Sequence, residues 1–168
     1  MTTVRLTRTY LAVPAHRSKM VQGAAASSAD AVFMDLEDAV PPAEKAAALE
    51  AAFSALSTND WGTKTVAIRL NAIDSSSIEN EIARLGGQPR LDAFIIPKAE
   101  TAADIATIRG WIAGANGTRT APVEMELLIE TARGLVNVEA LAAESGVAAL
   151  HLGVGDLAAS IGARSAEI

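Results

Sequence analysis

The sequence predicts an α/β fold built on a parallel sheet, and three observations lead there. Six short apolar runs rich in β-branched residues recur along its 168 residues, alanine-rich helical stretches separate them, and successive runs begin about 20 to 35 residues apart. That spacing is what a strand, a crossover helix and two loops occupy, so the units read as strand, helix, parallel strand. Such a sheet is buried on both faces.

In order, the strands are YLAVP (10–14), AVFMDL (31–36), TVAIRL (65–70), AFIIP (93–97), MELLIE (125–130) and VAALHL (147–152). Helical character between them lies in SKMVQGAAASS, PAEKAAALEAAFSAL, TAADIATIRGWIAG and RGLVNVEALAAES. Pro41-Pro42 opens the second of these helices, and Thr101 with Asp104 three residues later has the form of a capping box. Gly86-Gly87-Gln88-Pro89 reads as a turn, as does Asn116-Gly117-Thr118 despite its glycosylation-like pattern. No linker or low-complexity tract interrupts the alternation, so a single domain over residues 1–168 is expected.

Composition narrows the function. Half the residues are hydrophobic, enough for a real core, and the net charge is −6, which argues against a nucleic-acid partner because phosphate binding needs a basic surface. The absence of cysteine excludes thiolate metal sites, disulfides and cysteine nucleophiles. No apolar run reaches signal-peptide length at the N-terminus or the roughly 20 residues of a membrane span, so a cytoplasmic protein without membrane partners is expected.

Side chains alternate faces along a strand, and that alternation sorts the charges. Val32, Met34 and Leu36 form one all-apolar face of strand two, whereas Phe33, Asp35 and Glu37 share the other. In strand three Val66, Ile68 and Leu70 oppose Arg69 and Asn71. Lys98 follows Phe94 and Ile96 in phase, Glu130 follows Leu128, and Gly153-Val154-Gly155-Asp156 follows strand six. Each charge stands at or just past the C-terminal end of its strand, the edge where ligands bind in both open parallel sheets and (β/α)₈ barrels. Taken singly, Arg69 could merely neutralise Glu37, Lys98 could be a solvated loop residue or a Schiff-base former, and His151, inside a strand, reads as a satisfied core residue. The joint pattern favours a site for a small molecule.

Glu130 and Asp156 end consecutive units. Neighbouring parallel strands are roughly 4.8 Å apart, so two such carboxylates can reach one cation. Oxygen ligands without His or Cys suit Mg²⁺, which takes one or two carboxylates and leaves room for water and substrate.

With these residues the sequence resembles the CitE-like branch of the HpcH/HpaI aldolase/citrate lyase family, which also holds malyl-CoA lyases. The resemblance runs in order through Arg8 with LAVPA, DAVFMDLEDAVPPAEK, VAIRLN, FIIPKAE, LLIETARGLVNVEALA and LGVGDLAASIG. It implies a TIM (β/α)₈-type barrel of the phosphoenolpyruvate/pyruvate-binding kind, with about six βα units present. It also implies a Mg²⁺-dependent carbon–carbon lyase acting on an acyl-CoA thioester or a small hydroxy or keto acid. By motif position Glu130 and Asp156 are the metal ligands, Arg69 meets substrate oxygens, and Glu37 and Asp38 are the acidic pair that organises water. Lys98 and Arg8 join Arg69 as substrate-binding candidates. Leu49 stands where the family commonly has an arginine. Strands seven and eight and a C-terminal segment that carries a base in several relatives have no counterpart, which makes turnover an open expectation. A homo-oligomer, or else a fragment of a longer protein, is expected, and the alternative to the lyase is a truncated non-catalytic metal- and ligand-binding or assembly subunit of the same fold.

Overall fold

The computed structural model describes residues 7–163. All six strands form within a residue of their predicted bounds: β1 (Tyr10–Pro14), β2 (Ala31–Asp35), β3 (Thr65–Arg69), β4 (Ala93–Ile96), β5 (Glu124–Ile129) and β6 (Val147–Leu152). They follow chain order in one six-stranded sheet, β1-β2-β3-β4-β5-β6. The helices are α1 (Ser18–Ala26), α2 (Lys45–Thr58) after a 3₁₀ turn at Pro42–Glu44, α3 (Ile78–Leu85), α4 (Ala102–Ala115), α5 (Ala132–Val136), α6 (Val138–Ala142) and α7 (Val154–Ser160).

Two differences from the sequence reading have local causes. Helix α3 lies in a stretch that is not alanine-rich; its signal is the spacing of Ile78, Ile82 and Leu85, all buried, with Glu79 and Glu81 in its first turn and Arg84 in its last, as the helix dipole favours. The predicted helix RGLVNVEALAAES is two short helices that meet at Asn137. The Asn137 side chain is drawn away to donate to the Glu100 carbonyl at 2.8 Å.

The chain forms two compact units. One runs through Arg69 and takes in Gln88–Ala93; the other comprises Leu70–Gly87 and the chain from Phe94 onward. In the first, β1, β2 and β3 pair in parallel with Pro14, Asp35 and Arg69 ending their registers. Val32, Met34, Val66 and Ile68 are fully buried on the face predicted to be apolar, alongside Leu56, Ala48 and Ala52 of α2 and Trp61. Leu49, at the position where an arginine was expected, is also buried there.

The second unit contains the parallel pair β5 and β6, with an irregularity between Met125 and Glu126 that puts two residues of β6 against one step of β5. Its core holds Phe94, Ile96, Ile105, Ile108, Leu127 and Ile129. The Thr101 capping box is present in full: Asp104 N–H donates to Thr101 Oγ1 at 3.2 Å and Thr101 N–H to Asp104 Oδ2 at 2.9 Å. Among the described residues no helix is long and apolar enough to cross a membrane.

Candidate functional site

In the first unit the acidic residues that end β2 surround one guanidinium. The β2–β3 register sets Asp35 beside Arg69, and Asp35 accepts from Arg69 Nε at 2.8 Å and Nη2 at 2.6 Å. Its remaining capacity goes to the backbone N–H groups of Glu37 at 2.8 Å and Ala39 at 3.0 Å. Arg69 Nη1 lies 3.2 Å from Glu37 Oε2 and 3.4 Å from Asp38 Oδ2, and the Phe33 ring sits 5.9 Å from the guanidinium carbon. Three carboxylates are tolerable at this strand end because a permanent cation stands among them.

The electrostatics agree with the geometry. Burial works to raise the Asp35 pKa, but the Arg69 hydrogen bonds and charge, with the two amides, outweigh it and hold the carboxyl below the usual range. Burial likewise works against the Arg69 charge, and Asp35 foremost, then Glu37 and Asp38, raise its pKa above the ordinary arginine value. Asp38 is the most exposed of the three acids, at 59 %. Lys45 completes the arrangement from α2, its Nζ donating to the carbonyls of Leu36 and Glu37 at 2.6 Å each.

The second unit holds the other cluster. Glu130 follows β5 and is buried, Asp156 lies in the first turn of α7, and Lys98 follows β4. Lys98 Nζ is 3.1 Å from Asp156 Oδ2 and 3.9 Å from Glu130 Oε1. Both carboxylates thus face a single cationic atom. Among the described residues no three His, Cys, Asp or Glu side chains gather as a metal site. The donor set here is two carboxylates with oxygen only, which fits Mg²⁺.

The surrounding motif residues hold this cluster in place. Glu130 Oε1 accepts the Lys98 N–H at 3.0 Å. A Cβ on Gly153 would stand 2.5 Å from Glu130 Oε2, so only glycine lets the end of β6 pass this close. A Cβ on Gly134 would meet the Ala99 carbonyl oxygen at 2.5 Å. The IETARGLVN stretch therefore supplies one acid and also clamps the loop that carries Lys98.

Two expectations change. Arg8 precedes β1 and pairs with Asp30, ahead of β2, through Nε at 3.2 Å and Nη2 at 2.8 Å. These hydrogen bonds lower the Asp30 pKa and raise that of Arg8. Arg8 thus ties the N-terminal ends of the strands, whereas Arg69 stands at the C-terminal end of β3, and the fold does not bring the two together as substrate contacts. His151 is satisfied, as expected, through Nε2 and Glu126 Oε2 at 2.8 Å, but it is part-exposed rather than in the core. Lys45 and Glu126 are the polar residues that reading single strands passed over, and nothing in the sequence marks them. Phase places Asp35 on the charged face with Glu37, but its part as the main partner of Arg69 shows only in the structure.

Comparison with known proteins bears on the same motifs. An L-malyl-CoA/beta-methylmalyl-CoA lyase of Cereibacter sphaeroides (strain ATCC 17025 / ATH 2.4.3) is 38% identical over 170 residues, 98% of this chain and 53% of the relative. A citrate lyase subunit beta of Leuconostoc mesenteroides subsp. cremoris is 35% identical over 145 residues, 84% of this chain and 48% of the relative. The citrate lyase beta subunit from M. tuberculosis, solved in complex with oxaloacetate and magnesium, superposes with a TM-score of 0.77 at 30% identity, covering 96% of this chain and 65% of that one. The chain spans about half the length of the curated relatives it matches. The family model for HpcH/HpaI aldolase/citrate lyase matches residues 8–167, and with the ordered motifs above it establishes that the chain belongs to the HpcH/HpaI aldolase/citrate lyase family.

Proposed function

We propose that the chain supplies the metal- and substrate-binding residues of a Mg²⁺-dependent carbon–carbon lyase acting on an acyl-CoA thioester or a small hydroxy or keto acid. The observation that carries this reading is the convergence of Glu130 and Asp156 on one cationic atom, at 3.9 and 3.1 Å. The magnesium complex of the M. tuberculosis relative supports the choice of ion. Held by these two acids, Mg²⁺ supplies electrostatic stabilisation of negative charge on substrate oxygens.

This chain's own residues orient the reacting groups and stabilise the charge, with no base assigned among them. Cleavage of a 3-hydroxyacyl thioester passes the hydroxyl proton to a base, breaks the C2–C3 bond to leave a carbonyl compound, and puts the electron pair on the thioester enolate, which then takes up a proton. Arg69 stabilises the oxygen charge as it develops. Asp35 fixes its guanidinium plane through Nε and Nη2, while its Nη1 edge faces Glu37 and Asp38. Glu37 and Asp38, on that edge, orient water. Lys98 is ion-paired rather than set in an apolar pocket, which disfavours the Schiff-base reading. A homo-oligomer belongs to the same proposal.

Calorimetric titration with Mg²⁺ and a lyase assay on a malyl-CoA-type thioester test the reading together. Glu130→Gln and Asp156→Asn should each weaken Mg²⁺ binding by about tenfold or more and abolish cleavage with the circular dichroism unchanged. Full activity in excess chelator would sink it. Mg²⁺-dependent ligand binding with no product across several thioesters would make the chain a binding subunit instead.

A further inference from the structure

Lys98 stands where the two proposed metal ligands meet. Its Nζ approaches Asp156 Oδ2 at 3.1 Å and Glu130 Oε1 at 3.9 Å, and its own amide donates to Glu130 Oε1 at 3.0 Å. Its φ of +52° makes Lys98 the sole non-glycine residue with positive φ among the described residues, a conformation that L-residues seldom adopt. Surrounding contacts impose it. Glu130 takes the amide, the Ala99 carbonyl lies against Gly134, and Asn137 Nδ2 holds the Glu100 carbonyl at 2.8 Å. The loop is braced so that the ammonium meets these two acids.

Glu130 is buried, with 4 % of its side chain exposed, and two nearby carboxylates without a cation would repel each other. An ammonium relieves that repulsion. A Mg²⁺ ion would seek the same oxygens at about 2.1 Å, and like charges do not share so small a space. The contact is not a bidentate lock: Nζ reaches one oxygen closely and the other at the limit of an ion pair, and the Lys98 side chain is 36 % exposed. Such an ammonium can leave.

We infer that Lys98 is an internal counter-ion: it holds the place of the metal between Glu130 and Asp156 in the metal-free protein and is displaced when Mg²⁺ enters. It keeps the two carboxylates aimed at one point, lowers the affinity for the metal, and on displacement offers its charge to a substrate carboxylate. The inference rests on Glu130 and Asp156 being the metal ligands.

Isothermal titration with Mg²⁺ at one pH and ionic strength separates the two. The proteins compared are the unsubstituted chain, Lys98→Met, which keeps the side-chain volume, Lys98→Gly, which suits the positive φ, and Arg109→Met, which removes a cation paired elsewhere with Glu144. Both Lys98 variants should bind Mg²⁺ about 5- to 30-fold more tightly than the unsubstituted chain, and Arg109→Met within about twofold of it. Equal or weaker binding in both Lys98 variants overturns the inference and leaves the metal site standing. Equal tightening in Arg109→Met also overturns it, because bulk charge then explains the effect. If Mg²⁺ binds none of the four proteins, the metal reading itself fails.

Discussion

Replacing Asp35 by asparagine keeps the shape of the side chain and removes its charge. In the native chain this buried carboxylate satisfies four donors: Arg69 Nε and Nη2, and the N–H groups of Glu37 and Ala39. Asparagine has one carbonyl oxygen for these four, and its NH₂ group must face either a guanidinium or an amide, a donor against a donor. Breaking a buried charge pair from one side costs about 3–5 kcal/mol. Glu37 and Asp38, at 3.2 and 3.4 Å from Nη1, remain to offset part of the unpaired charge, so Asp35→Asn should cost about 3 kcal/mol. Urea unfolding at neutral pH measures it. Trp61, in the same unit, is 1 % exposed and bonded to the Ala55 carbonyl, so its fluorescence in a Trp111→Phe background reports the transition.

The pH dependence checks the cause. Because the folded Asp35 carboxyl is held below its unfolded value, ordinarily about 3.9, its stabilisation is fully present above that value and is lost as pH falls through the folded one. Asparagine does not titrate there. The gap between native chain and variant should therefore be constant from about pH 5 to 7 and narrow below about pH 4. A loss under about 1 kcal/mol at neutral pH, or a gap that persists undiminished in acid, would refute the account of Asp35 as the centre of this cluster.

Two further outcomes test the scaffold around the sites. Gly153→Ala would set a Cβ 2.6 Å from Glu130 Cβ, so it should cost about 1–3 kcal/mol by thermal unfolding and weaken Mg²⁺ binding by moving Glu130. Gly155→Ala, with nothing within 4 Å of its added Cβ, is the control. Thr101→Ala removes one half of the α4 capping box and should cost about 1 kcal/mol, read as a lowered midpoint in thermal denaturation.

Strand positions were legible because six apolar runs at crossover spacing leave few alternatives, and the faces followed from period two alone. Helix α3 was less visible because its signal is three buried side chains rather than composition. The site divided along a similar line. Residues that end strands could be found from phase, and Glu37, Arg69, Lys98 and Glu130 lie at strand ends on the expected side. Residues that act from elsewhere carry no such mark. Lys45 reaches Leu36 and Glu37 from a helix nine and eight positions away in sequence, and Glu126 meets His151 only through the shifted register of β5 and β6.

The two acidic clusters answer the same electrostatic problem with different cations, and the difference bears on function. Arg69 meets Asp35 through two parallel N–H contacts at 2.8 and 2.6 Å, lies over an aromatic ring and is 15 % exposed. A planar fork of that kind does not leave, and burial with a bidentate partner makes it a fixed part of the fold. Lys98 is a point charge on a flexible stem, in close contact with one oxygen and loosely with another. Fixing a substrate oxygen calls for the first kind of cation, whose position must not change as charge develops. Admitting a divalent ion calls for the second, whose position must be vacated. An arginine at 98 would bind its two acids more firmly and hinder the metal, and a lysine at 69 would leave two of the four donors to Asp35 without a rigid geometry. Under the proposed function, a fixed cation at 69 and a displaceable one at 98 are the residue types these two strand ends call for.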